Sequence, residues 1–199
     1  MFPKIGNIDG LIDSIREKTK LSKNRLEALY SVGLYCSELD GDFAELGCCN
    51  GGASFLLASI VKNPHKLYAF DSFEGLPEPT SEDEGKLKQG RSKTDAETVK
   101  AYLGVHGNRV VVKQGWIDDT LRSMELHQFS LIHIDMDLYA PTKFAIEFLW
   151  KRIVRGGYMI FDDYRWGSTP GIKKAVDEFF GDLFRHNIYF VYPQLGVQK

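Results

Sequence analysis

From residue 42 onward the hydrophobic positions fall into short runs separated by amphipathic stretches. "FAEL", "KLYAF", "RVVVKQ", "FSLIHID", "GYMIFDD" and "IYFVYP" are apolar runs of strand length, while residues 51–61, 94–104, 141–154 and 171–183 repeat apolar side chains at helical spacing. Strands that alternate with helices predict an α/β fold, because parallel neighbours require a crossover and a helix in that crossover covers a face of the sheet. Residues 8–38 carry helical periodicity in two pieces, with Ser22 as candidate N-cap of the second, so residues 1–40 read as a helical N-terminal extension. No repeat of solenoid length is visible. One segment breaks the pattern: "EGLPEPTSEDEGKLKQGRSKTD", residues 74–95, is polar, rich in Pro and Gly, and long for a connection in a compact α/β unit. It leaves the carboxyl edge of the second strand, where ligands bind in such sheets, and so reads as a lid; the alternative is a solvated surface loop.

Composition narrows the partners. A chain of 199 residues with 43% hydrophobic content buries a core unaided, which predicts a single domain over residues 1–199. A net charge of -2 provides no basic field for nucleic acid or an anionic membrane and favours a small-molecule partner. The opening "MFPKIGNIDGLIDSIREKTK" is too charged for a secretory leader, and no apolar run approaches the roughly 20 residues of a membrane helix, so a soluble, cytoplasmic protein is expected. Cys36, Cys48 and Cys49 lack metal-ligand spacing and are expected to be small buried hydrophobes rather than a disulfide framework.

The first strand runs into "FAELGCCNGGASFLL", with Glu45 at its end and Gly47, Asn50, Gly51 and Gly52 in the turn to the next helix. Glycine there lets the backbone approach a ligand, and the helix beyond offers N–H groups to an anion. A dinucleotide fingerprint would carry glycine where Cys49 stands. Asp71, with Ser72 beside it, ends the next strand at the interval from Gly51 at which a carboxylate takes both hydroxyls of a ribose. An adenosine without a pyrophosphate fits this pattern, and S-adenosylmethionine is the candidate: its carboxylate suits the glycine turn, its ammonium Glu45 and its ribose Asp71. Gln114, Gly115 and Trp116 leave the third strand at the same edge and are candidates for an adenine pocket; the alternative is a core Trp.

"LIHIDMDLY" and "GYMIFDDY" then place Asp135, Asp137, Asp162 and Asp163 at the ends of two apolar strands. Two unit charges about 4 Å apart repel by about 1 to 4 kcal/mol at effective dielectrics of roughly 80 to 20, so four such acids call for a positive charge among them. No Lys or His repeats beside them at ligand spacing, and oxygen-only donors point to Mg²⁺, with Mn²⁺ or Ca²⁺ less favoured. The competing reading is that these acids cap the turns that follow. A divalent ion beside a sulfonium donor suggests methyl transfer to a hydroxyl, since a metal acidifies and orients a bound alcohol. Asp135, Asp162 and Asp163 are then assigned to the metal, with Asp135 also facing the cofactor, and Asp137 to proton abstraction or to a fourth ligand position.

The segments "DSFEGLP", "HIDMDLYAPTKFAIEFLW", "GGYMIFDDY" and "PGIKKAVDEFF" resemble the macrocin O-methyltransferase family over about residues 43–183. The resemblance implies a three-layer Rossmann-like class I methyltransferase fold, with a mostly parallel seven-stranded sheet in the order 3-2-1-4-5-7-6 and an antiparallel seventh strand. It implies an S-adenosylmethionine- and Mg²⁺-dependent enzyme that methylates a hydroxyl of a sugar or glycosylated small molecule, with Asp135, Asp162 and Asp163 matching the metal ligands and Asp137 the base. A homodimer is the assembly it suggests. The metal arrangement is also similar to catechol O-methyltransferase, but Leu138 stands where that enzyme's basic lysine is expected. The turn departs from the family pattern, with Cys49-Asn50 in place of an aromatic-basic pair. The alternatives are methylation of a catechol or other phenol and a non-catalytic S-adenosylmethionine-binding module.

Overall fold

The structure is a computed structural model that describes residues 8–85 and 87–199; readings that touch residues 1–7 or Lys86 lie outside the described residues. Five strands, β1 (Asp42–Leu46), β2 (Leu67–Asp71), β3 (Val110–Gln114), β4 (Phe129–Ile134) and β5 (Ile153–Phe161), run parallel, and β6 (Asn187–Val191) and β7 (Gln194–Gln198) complete a sheet of order β3-β2-β1-β4-β5-β7-β6. β7 is antiparallel to both β5 and β6. This is the expected order. The run "IYFVYP" accounts for β6 alone, whereas β7, "QLGVQ", has too little apolar alternation to announce itself and is held by its two neighbours. β5 begins at Ile153, four residues before Gly157, where the apolar pattern placed its start, so the preceding helix is shorter than expected.

Alternation along each strand divides the core. Ala44, Leu46, Ile132, Ile134, Met159 and Phe161 face α5 (Ile117–Thr120), α6 (Tyr139–Leu149) and α7 (Pro170–Phe180). Phe43, Leu67, Leu131 and Ile160 face the other side, against α1 (Ile8–Ile15), α2 (Lys23–Cys36) and α3 (Gly52–Ala58), with α4 (Ala96–Leu103) covering Ala69. The three layers follow from strands apolar on both faces. The N-terminal helices belong to this core: Ile12, Ile15, Leu26, Leu29 and Val32 are buried in the same cluster as the strand side chains. Ser22 precedes α2 in extended conformation but makes no side-chain capping bond. Among the described residues no helix is long and apolar enough to cross a membrane.

Candidate functional site

The five parallel strands end level with one another, and the ladder continues for one residue beyond them. Gly47 N–H donates to Phe70 O (2.8 Å), Gly115 N–H to Asp71 O (2.9 Å), Asp135 N–H to Leu46 O (2.9 Å) and Asp162 N–H to Ile134 O (3.0 Å). Residues 47, 71, 115, 135 and 162 therefore stand side by side along the carboxyl edge, with the reversal of strand order between β1 and β4. A cavity of about 700 Å³ opens there. Gly47, Asp71, Ser72, Gly115, Trp116, Asp135, Asp137, Asp162 and Asp163 all line it.

On the glycine side, Asp71 accepts N–H bonds from Cys49 and Phe73, both at 2.7 Å. Burial raises its carboxyl above the ordinary value, while those two donors pull it back. Two oxygens with one backbone donor each still have lone pairs for two hydroxyls. Gly47 has φ +89°, and a Cβ there would overlap the carbonyl of Asp135, so the turn closes onto β4 only through a glycine. Three positions differ from the expected pattern. Glu45 is 1% exposed and is bound by Ser54 Oγ and by His133 Nδ1 (3.1 Å); together with Asn50 it borders a smaller cavity that shares Gly47, Cys49 and Asp135 with the main one. Gly51, with φ +84°, lines neither cavity, since the left-handed turn carries it against Val99, Tyr102 and Leu103. Burial raises all three cysteine thiols above their ordinary value, which disfavours the thiolate form.

The acid side is built by a turn rather than by strand alternation. β4 ends at Ile134, and Asp137 adopts φ +63°, centred in a tight turn closed by Leu138 N–H to Met136 O (2.7 Å). That turn still delivers the carboxylate: one oxygen each of Asp135, Asp137 and Asp163 lie within 4.8 Å of one another. Burial, then the charges of Asp162, Asp163 and Asp137, push Asp135 well above its ordinary value. Burial, then Asp162 and Asp137, push Asp163 up to about 8. The fourth acid is placed differently. Asp162 is 1% exposed, with Oδ2 bound to Arg25 Nη1 and Oδ1 accepting from Gln194 Nε2 (3.0 Å).

Two cations answer the repulsion that the sequence poses. Arg25, from α2, contacts Asp162 and reaches Asp163 Oδ1 at 3.3 Å. His133, fully buried in β4, lies between Glu45 and Asp162; its Nε2 is 3.8 Å from Asp162 Oδ1, an ion-pair contact too long for a hydrogen bond. Burial lowers the His133 pKa, but the carboxylates on either side raise it further, to about 10. Neither residue figured among the expected site residues. His133 had a signal, a titratable side chain two positions before Asp135 in an otherwise apolar strand; Arg25, 137 residues from Asp162, had none.

The donor set suits a hard cation: three converging carboxylates in a cavity, without nitrogen or sulfur. The model of the macrocin-O-methyltransferase family (TylF) matches residues 17–186. A Streptomyces olivaceus 8-demethyl-8-(2,3-dimethoxy-alpha-L-rhamnosyl)-tetracenomycin-C 4'-O-methyltransferase is 31% identical over 74% of this chain and 63% of its own length. A Streptomyces niveus demethyldecarbamoylnovobiocin O-methyltransferase is 28% identical over 72% and 59%. The chain thus spans about three fifths of the length of these curated relatives. Among solved structures, the O-methyltransferase NovP superposes with a TM-score of 0.80 at 23% identity, over 92% of this chain and 82% of that one.

Proposed function

The chain belongs to the macrocin-O-methyltransferase family, and from that premise we propose that it transfers the methyl group of S-adenosylmethionine to a hydroxyl of a sugar or glycosylated small molecule, with Mg²⁺ as the metal. The observation that carries this reading is the single cavity in which Gly47, Asp71 and Trp116 stand beside Asp135, Asp137 and Asp163. Asp71 takes the ribose hydroxyls, Trp116 borders the base, and the backbone around Gly47 faces the amino-acid end. Asp135 and Asp163 hold the ion. Asp162, matched to a ligand by the family resemblance, lines the same cavity and, with one donor on each oxygen, keeps lone pairs with which it could join them. A bound ion would supply Lewis-acid activation of the acceptor hydroxyl and fix its direction. Asp137 removes the hydroxyl proton as the oxygen attacks the methyl carbon and the sulfur leaves.

The acceptor hydroxyl is one of a vicinal pair, since adjacent oxygens chelate one ion. The relative that acts on a rhamnosyl tetracenomycin-C supports a glycosylated acceptor. The test is a screen of sugar, glycoside and catechol acceptors with S-adenosylmethionine and Mg²⁺, with and without chelator. Turnover on a glycoside that stops on chelation is expected. Turnover that survives complete chelation refutes the metal; turnover on catechols alone refutes the acceptor class. Binding of S-adenosylmethionine without turnover on any acceptor leaves a binding module.

A further inference from the structure

Asp137 is one of the few non-glycine residues with positive φ among the described residues, an uncommon backbone state that persists where the surroundings over-determine it. Both residues that follow it are gripped by the 74–95 segment. Leu138, 1% exposed, forms a closed apolar cluster with Leu76 and Leu87. Tyr139 N–H donates to Asp83 Oδ1 (2.8 Å). Asp83 is itself 1% exposed, and its other oxygen accepts from the backbone N–H (2.9 Å) and the hydroxyl (3.0 Å) of Thr80. α6 starts at Tyr139 with Leu138 in the N-cap position, a residue that has no oxygen to offer the first free N–H; Asp83 supplies it from 56 residues away. Gly171 makes room for this arrangement, because a Cβ there would overlap Asp83 Oδ1 and stand 2.8 Å from Tyr139 Cβ. The segment is also tied across its own base, by Leu76 N–H to Arg91 O and Gly90 N–H to Leu76 O, both 2.9 Å.

We infer that Asp83 is a positioning residue for Asp137: by capping α6 while Leu76 and Leu87 enclose Leu138, the 74–95 segment clamps the left-handed turn that points the Asp137 carboxylate at Asp135 and Asp163. The inference rests on the reading of Asp137 as the proton acceptor. A solvated surface loop would bury neither a carboxylate nor Leu76 and Leu87. Leu76, Leu87 and Arg91 of the same segment also line the cavity, so the residues that hold the turn border the space in which Asp137 acts.

The test compares Asp83→Ala, Asp83→Asn and Leu87→Ala with the wild type by hydrogen exchange of residues 135–141, S-adenosylmethionine affinity by calorimetry, and methyl transfer to the acceptor found in the screen. For Asp83→Ala the expected result is exchange at residues 137–139 faster by at least about tenfold, kcat lower by about ten- to a hundredfold, and cofactor Kd within about twofold. Asp83→Asn, which keeps one acceptor oxygen, falls between. Asp83→Ala added to Asp137→Asn slows transfer no further, because the effect passes through that carboxylate. Unchanged exchange at 137–139, or fully multiplicative losses in the double variant, overturns the clamp. If Asp83→Ala does not fold, Leu87→Ala gives the same comparison with a smaller effect. A wild type without turnover refutes the enzymatic reading alone, and the exchange data then decide the clamp.

Discussion

Raising the pH of the metal-free protein from about 5.5 to about 7.5 is expected to destabilise it, and Mg²⁺ is expected to reverse the loss only at the upper end. The sign follows from Asp163, whose carboxyl titrates near 8 in the folded chain against an ordinary value of 3.8. Between those values the folded state keeps a proton that the unfolded state has released, so stability is greatest below the lower value and falls as pH rises towards the upper one. The slope for one such group is about 1.4 kcal/mol per pH unit, or roughly 2 to 3 kcal/mol over two units, as an upper bound for a carboxyl hydrogen-bonded to Asp137 within a cluster of acids. His133, raised from 6.5 to about 10, adds loss of the same sign above 6.5. For a chain of this size the sum corresponds to a Tm lower by about 5–10 °C. An ion at roughly a thousand times its Kd returns about 4 kcal/mol at the higher pH. At the lower pH it must displace the bound proton, and most of that stabilisation disappears. The assay is a set of calorimetric melts in chelator and in Mg²⁺ at matched ionic strength across this range, repeated on Asp163→Asn. A metal-free Tm that is flat or rises with pH, or a slope that Asp163→Asn leaves unchanged, refutes the reasoning.

Asp71→Asn should weaken S-adenosylmethionine binding by about 10- to 100-fold, since charge-assisted hydrogen bonds are worth about 1.5–3 kcal/mol, with little change in Mg²⁺ affinity; calorimetry with each ligand checks this. Arg25→Met should destabilise the metal-free protein by about 1–3 kcal/mol, because Asp162 loses one of its two cationic neighbours and keeps His133 and Gln194, and Mg²⁺ should recover more of the loss than it adds to the wild type; denaturant titrations with and without chelator read both. Gly171→Ala should cost about 1–3 kcal/mol through the overlap with Asp83 and Tyr139, whereas Gly104→Ala, with nothing within 4 Å of its Cβ, should leave Tm within about 1 °C.

The alternation of strand-length apolar runs with helical ones specified the layers, because strands buried on both faces admit few other arrangements. The glycine turn, Asp71 and the two pairs of aspartates were legible for the same reason: a parallel sheet carries all its strand ends to one edge, so residues at those ends meet whatever lies between them in the chain. Residues 74–95 were legible as an irregular connection placed where a lid would be, but not in how they are held. Their order comes from one buried carboxylate and two leucines, none of which stands out in a stretch that also holds five other acids.

What the tertiary structure alone decided is the electrostatics of the cluster. Arg25 meets Asp162 because α2 packs on the sheet face beneath β4 and β5, a contact between residues 137 positions apart that no periodicity encodes. Strand register likewise pairs His133 with Glu45, so that Glu45 holds a buried imidazole while it borders the smaller cavity beside the glycine turn. It also sets the fate of the four aspartates, three converging and one held by protein donors, because each carboxylate's partners depend on which side chains the fold brings within a few ångströms. A sequence records where charges sit along the chain and on which element; the short distances that decide whether they repel, pair or gather an ion exist only once the sheet and its helices have closed.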